Sequence, residues 1–185
     1  EWGLGILPFY FVEIALYEYG DNILGALLRE AQFKAQELIP SSGMISTNDL
    51  VKPFEARNIH PRNKTKVGKR LCYLALTRTY GVKGIVDQGP IYQSMEIKDG
   101  KAIISFSNAP EGFSRMNGIE GFEVAGADKV FYPAVAVVDW NKHIIVSSDQ
   151  VPQPVAVRYA FKNFQPGNLH NHREQPVFPF RTDNW

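Results

Sequence analysis

The chain has 185 residues, 44% of them hydrophobic and 21% charged, with a formal net charge of +1. That is enough apolar material for a core in one good-sized domain or two small ones, and too few clustered basic residues for nucleic acid to be a natural partner. No apolar run reaches the roughly 20 residues a membrane span needs, and the lone Cys72 leaves neither a disulfide framework nor a thiolate metal site. Cys72 reads as a small buried hydrophobe. The first residue is Glu1 rather than methionine, and no signal-like segment precedes Trp2, so we expect the chain to begin inside something longer.

Residues 7–16 form a near-continuous apolar run rich in aromatic and branched side chains, which reads as a strand buried on both faces. Glu13 interrupts it. A carboxylate buried there is costly unless paired, so Glu13 either pairs with a base such as Arg29 or faces a crevice; pairing is the favoured reading. Leu24, Leu27, Leu28, Ala31, Ala35 and Leu38 then recur at helical spacing, opposite Arg29, Glu30, Lys34 and Glu37. The leucine stripe is the expected buried face. Asp21 or Asn22 can cap this helix and Pro40 stops it.

Residues 43–47 read as a second short strand, ending at Asn48-Asp49-Leu50. A loop over 51–59 leads to His60-Pro61. Proline suits the first helical position, where a missing N–H costs nothing, so His60 is expected at the cap of a second helix. Val67, Leu71, Leu74 and Ala75 line one side of that helix, and Gly81 ends it. Strand, helix, strand, loop, helix is the grammar of a parallel α/β layer. Two strands are too few for such a layer, which leads us to expect more chain.

From Val86 the pattern changes. Strands are expected at 91–97, 102–106, 122–125, 134–138, 144–147 and 156–159, with Asp99-Gly100 and Asn141-Lys142 as hairpin turns. Regular short strands without helical periodicity predict a small antiparallel sandwich. The expected division is residues 1–84 and 85–185.

His60 lies in a loop beyond the C-terminal end of a strand, where open α/β sheets bind ligands. Histidine is also the commonest general acid–base. No serine here has the setting of a nucleophile: Ser41, Ser42 and Ser46 fall in turn or strand positions. His170-x-His172 could place two rings on one side of a strand, but no third ligand stands beside the pair. Tyr92, Trp140 and Phe164 are candidates for sugar contact, with core packing as the default. His143 reads as a surface residue.

Several blocks together resemble one family. They are Pro8-Phe9-Tyr10-Phe11-Val12-Glu13-Ile14-Ala15, Leu28-Arg29-Glu30-Ala31-Gln32, and Ile59-His60-Pro61-Arg62-Asn63-Lys64 with Val67-Gly68. Gly89-Pro90-Ile91-Tyr92, residues 122–129, residues 155–159 and the closing 179–185 continue the series. In this order they resemble the sialate O-acetylesterases of the SGNH hydrolase superfamily. The resemblance implies the C-terminal part of a parallel α/β catalytic domain followed by a β-sandwich. It implies a serine–histidine esterase acting on O-acetylated sugars, sialic acid among them, without metal or organic cofactor, in a secreted, periplasmic or lysosomal setting. The serine and oxyanion donors would come from an N-terminal fragment or subunit of the same enzyme.

His60 matches the family's catalytic histidine. The superfamily's common Asp-x-x-His is not kept: Arg57 stands three before His60 and Asn58 two before. Asp49 is the best substitute to orient the imidazole, ahead of Glu55. Asn58 could accept the ring N–H without offering charge, and a backbone carbonyl could also serve. An acetylxylan-type preference and a non-catalytic carbohydrate-binding or scaffolding module are the alternatives.

Overall fold

A computed structural model of the protein describes residue 3 and residues 5–20 and 22–185. Asp21, one of the two candidate helix caps, lies outside the described residues. Strands β1 (Phe9–Val12) and β2 (Ser42–Ile45) pair in parallel, from Phe9 opposite Ser42 to Val12 opposite Ile45. Helix α1 (Leu24–Leu38) connects them, with its first N–H held by Asn22 Oδ1 at 3.0 Å. This is a single βαβ unit.

Helix α1 does not bury the face its leucines predict. Gly25, Ala26 and Arg29 are inside, while Leu24, Leu28 and Leu38 are 66%, 48% and 82% exposed. The cause is polar. The Gly25 N–H donates to Asn163 Oδ1 (2.7 Å), Arg29 Nη2 donates to the Lys162 carbonyl, and Glu30 takes a two-pronged bond from Arg181 (3.1 and 3.0 Å). Phe33 also packs on Phe178, ring centres 4.9 Å apart. These anchors turn the mixed face of α1 toward the β-rich part. The leucine stripe is left outward, uncovered among the described residues.

Helix α2 (Lys64–Leu74) starts later than the His60-Pro61 pair suggests. Asn63, not His60, caps it, accepting the Lys66 N–H at 3.3 Å. Pro61 therefore shapes the approach to the helix and is not its first residue. A wider turn (Ala75–Thr79) extends α2, and Gly81, at φ +68°, follows its end. Cys72 sits on the exposed side of α2 and is not a core residue.

The rest is antiparallel β. Strands β3 (Ile91–Lys98), β4 (Lys101–Ser107), β8 (Ile144–Ser147) and β7 (Val135–Val138) form one sheet in that order. Strands β10 (Phe180–Arg181), β9 (Ala156–Tyr159), β5 (Phe122–Ala125) and β6 (Phe131–Pro133) form the other. Both inner faces feed one core, Ile104, Ile144 and Val146 from the first sheet meeting Val124, Val157 and Tyr159 from the second. The β3–β4 turn carries Asp99 and Gly100 at φ 50° and 70°, as an Asp-Gly hairpin requires. Strands β6 and β10, three and two residues long, were not expected. No helix of the described residues is long and apolar enough to cross a membrane.

Gly89 sits where the α/β part hands over to β3. A Cβ there would stand 1.7 Å from the Pro176 carbonyl oxygen, a backbone atom that cannot step aside. Gly89→Ala is expected to destabilise the protein by about 3 kcal/mol, the upper end for overpacking. An unchanged midpoint in urea unfolding would contradict that close approach.

Candidate active site

The C-terminal ends of β1 and β2 meet through Glu13. Ser46 donates its hydroxyl to Glu13 Oε2 (2.6 Å), the Thr47 N–H donates to the same oxygen (2.8 Å), and the Thr47 hydroxyl reaches the Glu13 carbonyl (3.3 Å). Burial pushes this carboxyl above the usual range, and the nearby Arg29 charge only partly opposes it. The favoured ion pair with Arg29 is not formed among the described residues; Glu13 is buried and takes its hydrogen bonds from Ser46 and Thr47 instead. It ties the strand ends together.

Asp49 follows directly and is bound on both oxygens. Arg70 of α2 gives it a bidentate pair (Nη1 to Oδ1 and Nη2 to Oδ2, both 2.7 Å), and His170 Nε2 lies 3.0 Å from Oδ2. Arg70 Nη1 also donates to the Ser46 carbonyl at 2.8 Å. Burial alone would raise the Asp49 carboxyl, but the hydrogen bonds and charge of Arg70 and His170 more than offset it and hold it well below the carboxylate range. The other nitrogen of His170, Nδ1, faces the Asn168 carbonyl at 3.1 Å. Both ring nitrogens thus meet acceptors, leaving none open to a serine hydroxyl or a metal ion.

Asp49 was the first choice to orient His60; its oxygens are instead committed to Arg70 and His170. Asn58 accepts the backbone N–H of His60 (2.9 Å), so it fixes the loop and not the ring. Glu55 is likewise engaged with backbone. Its Oε2 takes the Lys52 N–H and its Oε1 the Arg62 N–H, each at 3.0 Å, and these two bonds draw its carboxyl down. The Asn58 N–H adds a 2.7 Å bond to the Glu55 carbonyl, and the Glu18 N–H meets the Ala56 carbonyl at 2.8 Å. His60 is exposed at the tip of this braced loop, and its imidazole makes no hydrogen bond among the described residues.

Beside this loop lies a cleft of about 750 Å³, lined by Asp49, Lys52 and Pro53 from one part and Ser114, Arg115 and His170 from the other. His60 is not among its lining residues. Of the aromatic candidates, Tyr92 stacks on Phe180 (4.8 Å) and Phe164 packs against Ala15, Leu16 and Val51, while Trp140 is 96% exposed. His143 binds Asp139 (3.2 Å) at the β7–β8 turn. Sequence reasoning singles out Asp49 but joins it to the wrong histidine: its partner His170 lies 121 positions away and is noticed only beside His172, and Arg70 carries no signal.

The chain superposes with a TM-score of 0.85 on the crystal structure of XAC1771, a novel carbohydrate acetylesterase from Xanthomonas citri. The two share 37% sequence identity over 97% of this chain and 42% of that one. The chain is thus related in sequence and fold to a carbohydrate acetylesterase, and spans less than half its length. No protein-family model and no curated protein matches the sequence.

Asp49→Asn leaves the buried Arg70 guanidinium without its counter-charge and is expected to cost about 3 kcal/mol or more. Because the folded-state carboxyl is depressed, the wild-type contribution is full above about pH 5 and drains away as pH falls through the range below 4. Unfolding midpoints measured at pH 7 and pH 3 should therefore show a gap between wild type and variant that narrows at the lower pH without closing. A constant gap would contradict this.

Proposed function

We propose that the chain forms part of a carbohydrate O-acetylesterase in which His60 is the general base. The observation that carries this is an exposed imidazole with no hydrogen-bond partner among the described residues, displayed by a loop that Glu55 braces at both ends. Its likeness to a carbohydrate acetylesterase supplies the reaction class. His60 matches the catalytic histidine of the family that the sequence resembles.

In this reading a serine from polypeptide outside these 185 residues gives its proton to His60 as its oxygen attacks the acetyl carbonyl carbon. The imidazolium returns that proton to the departing sugar alkoxide, leaving an acetyl-serine. Water then repeats the cycle, giving acetate and free serine. The parallel pair β1–β2 belongs to an SGNH-type sheet, residues 1–84 to the catalytic domain and residues 85–185 to the sandwich. The polypeptide that brings the serine covers Leu24, Leu28 and Leu38 and extends the sheet. The sugar is of the sialate type, in a secreted, periplasmic or lysosomal setting.

The test uses the protein together with the serine-bearing polypeptide and 4-nitrophenyl acetate as substrate. His60→Ala should lower kcat by about 10²–10⁴-fold, the range for a general base, with an unchanged melting temperature because the ring is exposed. Full activity in His60→Ala overturns the assignment. An inert wild type that still binds sugars would make this a carbohydrate-binding module.

A further inference from the structure

We propose that the cleft between the two parts of the molecule is a glycan subsite in which Lys52 and Arg115 hold a sugar carboxylate. The choice of a glycan rests on the esterase reading, and the proposal deepens it by naming the cleft and the residues that hold the sugar's carboxylate.

The cleft's volume, about 750 Å³, falls within the range of small-molecule sites. Its polar lining comes from three separate segments: Lys52 after β2, Ser114, Arg115, Asn117 and Glu120 between β4 and β5, and His170 between β9 and β10. Asp49 also borders it, but its charge is already matched by Arg70. That leaves Lys52 and Arg115 facing the cleft against the single carboxylate of Glu120. Neither cation forms an ion pair among the described residues, and Arg115 reaches only the Gly118 carbonyl, at 3.5 Å. A neutral sugar offers those two cations only hydroxyl acceptors, which are weaker than a charge-assisted partner.

A carboxylate meets that need. Its two oxygens suit the planar fork of an arginine, with an ammonium as a second charge. Ser114, Asn117 and Glu120 then offer donors and acceptors for sugar hydroxyls. Among the described residues no aromatic ring lines the cleft, so recognition there is polar and electrostatic and should weaken with salt. The site is also fastened to the catalytic loop. Glu55 holds the Lys52 N–H with one oxygen and the Arg62 N–H, two residues past His60, with the other. A sugar anchored by its carboxylate at Lys52 is thereby bound on the same braced loop that carries His60.

The experiment titrates the intact protein with a galacturonic acid disaccharide and, separately, with the corresponding neutral galactose disaccharide, by calorimetry. Neither sugar carries an ester, so the result does not depend on turnover. The acidic disaccharide should bind at least about tenfold more tightly, as expected for a charge-assisted contact, and the gap should shrink at high salt. Arg115→Ala and Lys52→Ala should each weaken the acidic ligand by about tenfold and leave the neutral one unchanged. Both side chains are exposed, so melting temperatures report whether the variants remain folded. Equal binding of the two sugars, no binding of either, or acidic binding indifferent to both substitutions overturns the proposal. Acidic binding in a protein that fails the aryl acetate test overturns the esterase reading alone.

Discussion

A buried aspartate carboxylate held from two sides organises this molecule. Asp49 lies in the turn after β2, Arg70 reaches it from α2, and His170 reaches it from the segment between β9 and β10. The pair is almost fully removed from water, with side-chain exposures of 5% and 4%. Breaking such a pair strands a charge, so the contact acts less as an increment of stability than as a condition on the arrangement. With Asp49 fixed, the loop that follows it starts from a defined point, and the cleft has a wall on each side.

The second consequence concerns helix α1. Its leucines would ordinarily decide which face goes inside, since burial of apolar area dominates packing. Here Asn163, Lys162 and Arg181 hold the opposite face through hydrogen bonds and a bidentate ion pair. The leucine stripe stays outward, beside a sheet of only two strands. Parallel sheets are normally covered on both faces.

Much of the architecture could be read from residues in order. The short β-rich segments of the second half predict β5, β8 and β9 at their observed limits, and the Asp99-Gly100 turn joins β3 to β4 because hairpin chemistry is local. Helix α1 likewise runs from Leu24 to Leu38 as its periodicity indicates. The face it buries was not legible, because that depends on partners more than 100 positions away. Residues 180–181 pair as a strand only because β9 lies alongside. The His60-Pro61 pair, read as the start of α2, lies ahead of it, because Asn63 makes the cap and Glu55 holds the loop before it. Asp49 and Asn58 are engaged by Arg70, His170 and the His60 backbone N–H, contacts that spacing along the chain does not reveal.

The account depends on His60 activating an alcohol that lies on polypeptide outside these residues. An organophosphonate that labels activated serines tests this most directly, with the modified residue located by mass spectrometry in the full-length protein. The account predicts one labelled serine outside this segment and a collapse of the labelling rate in His60→Ala. Label on Ser114 or another serine within the segment, or an unchanged rate in the variant, would contradict it.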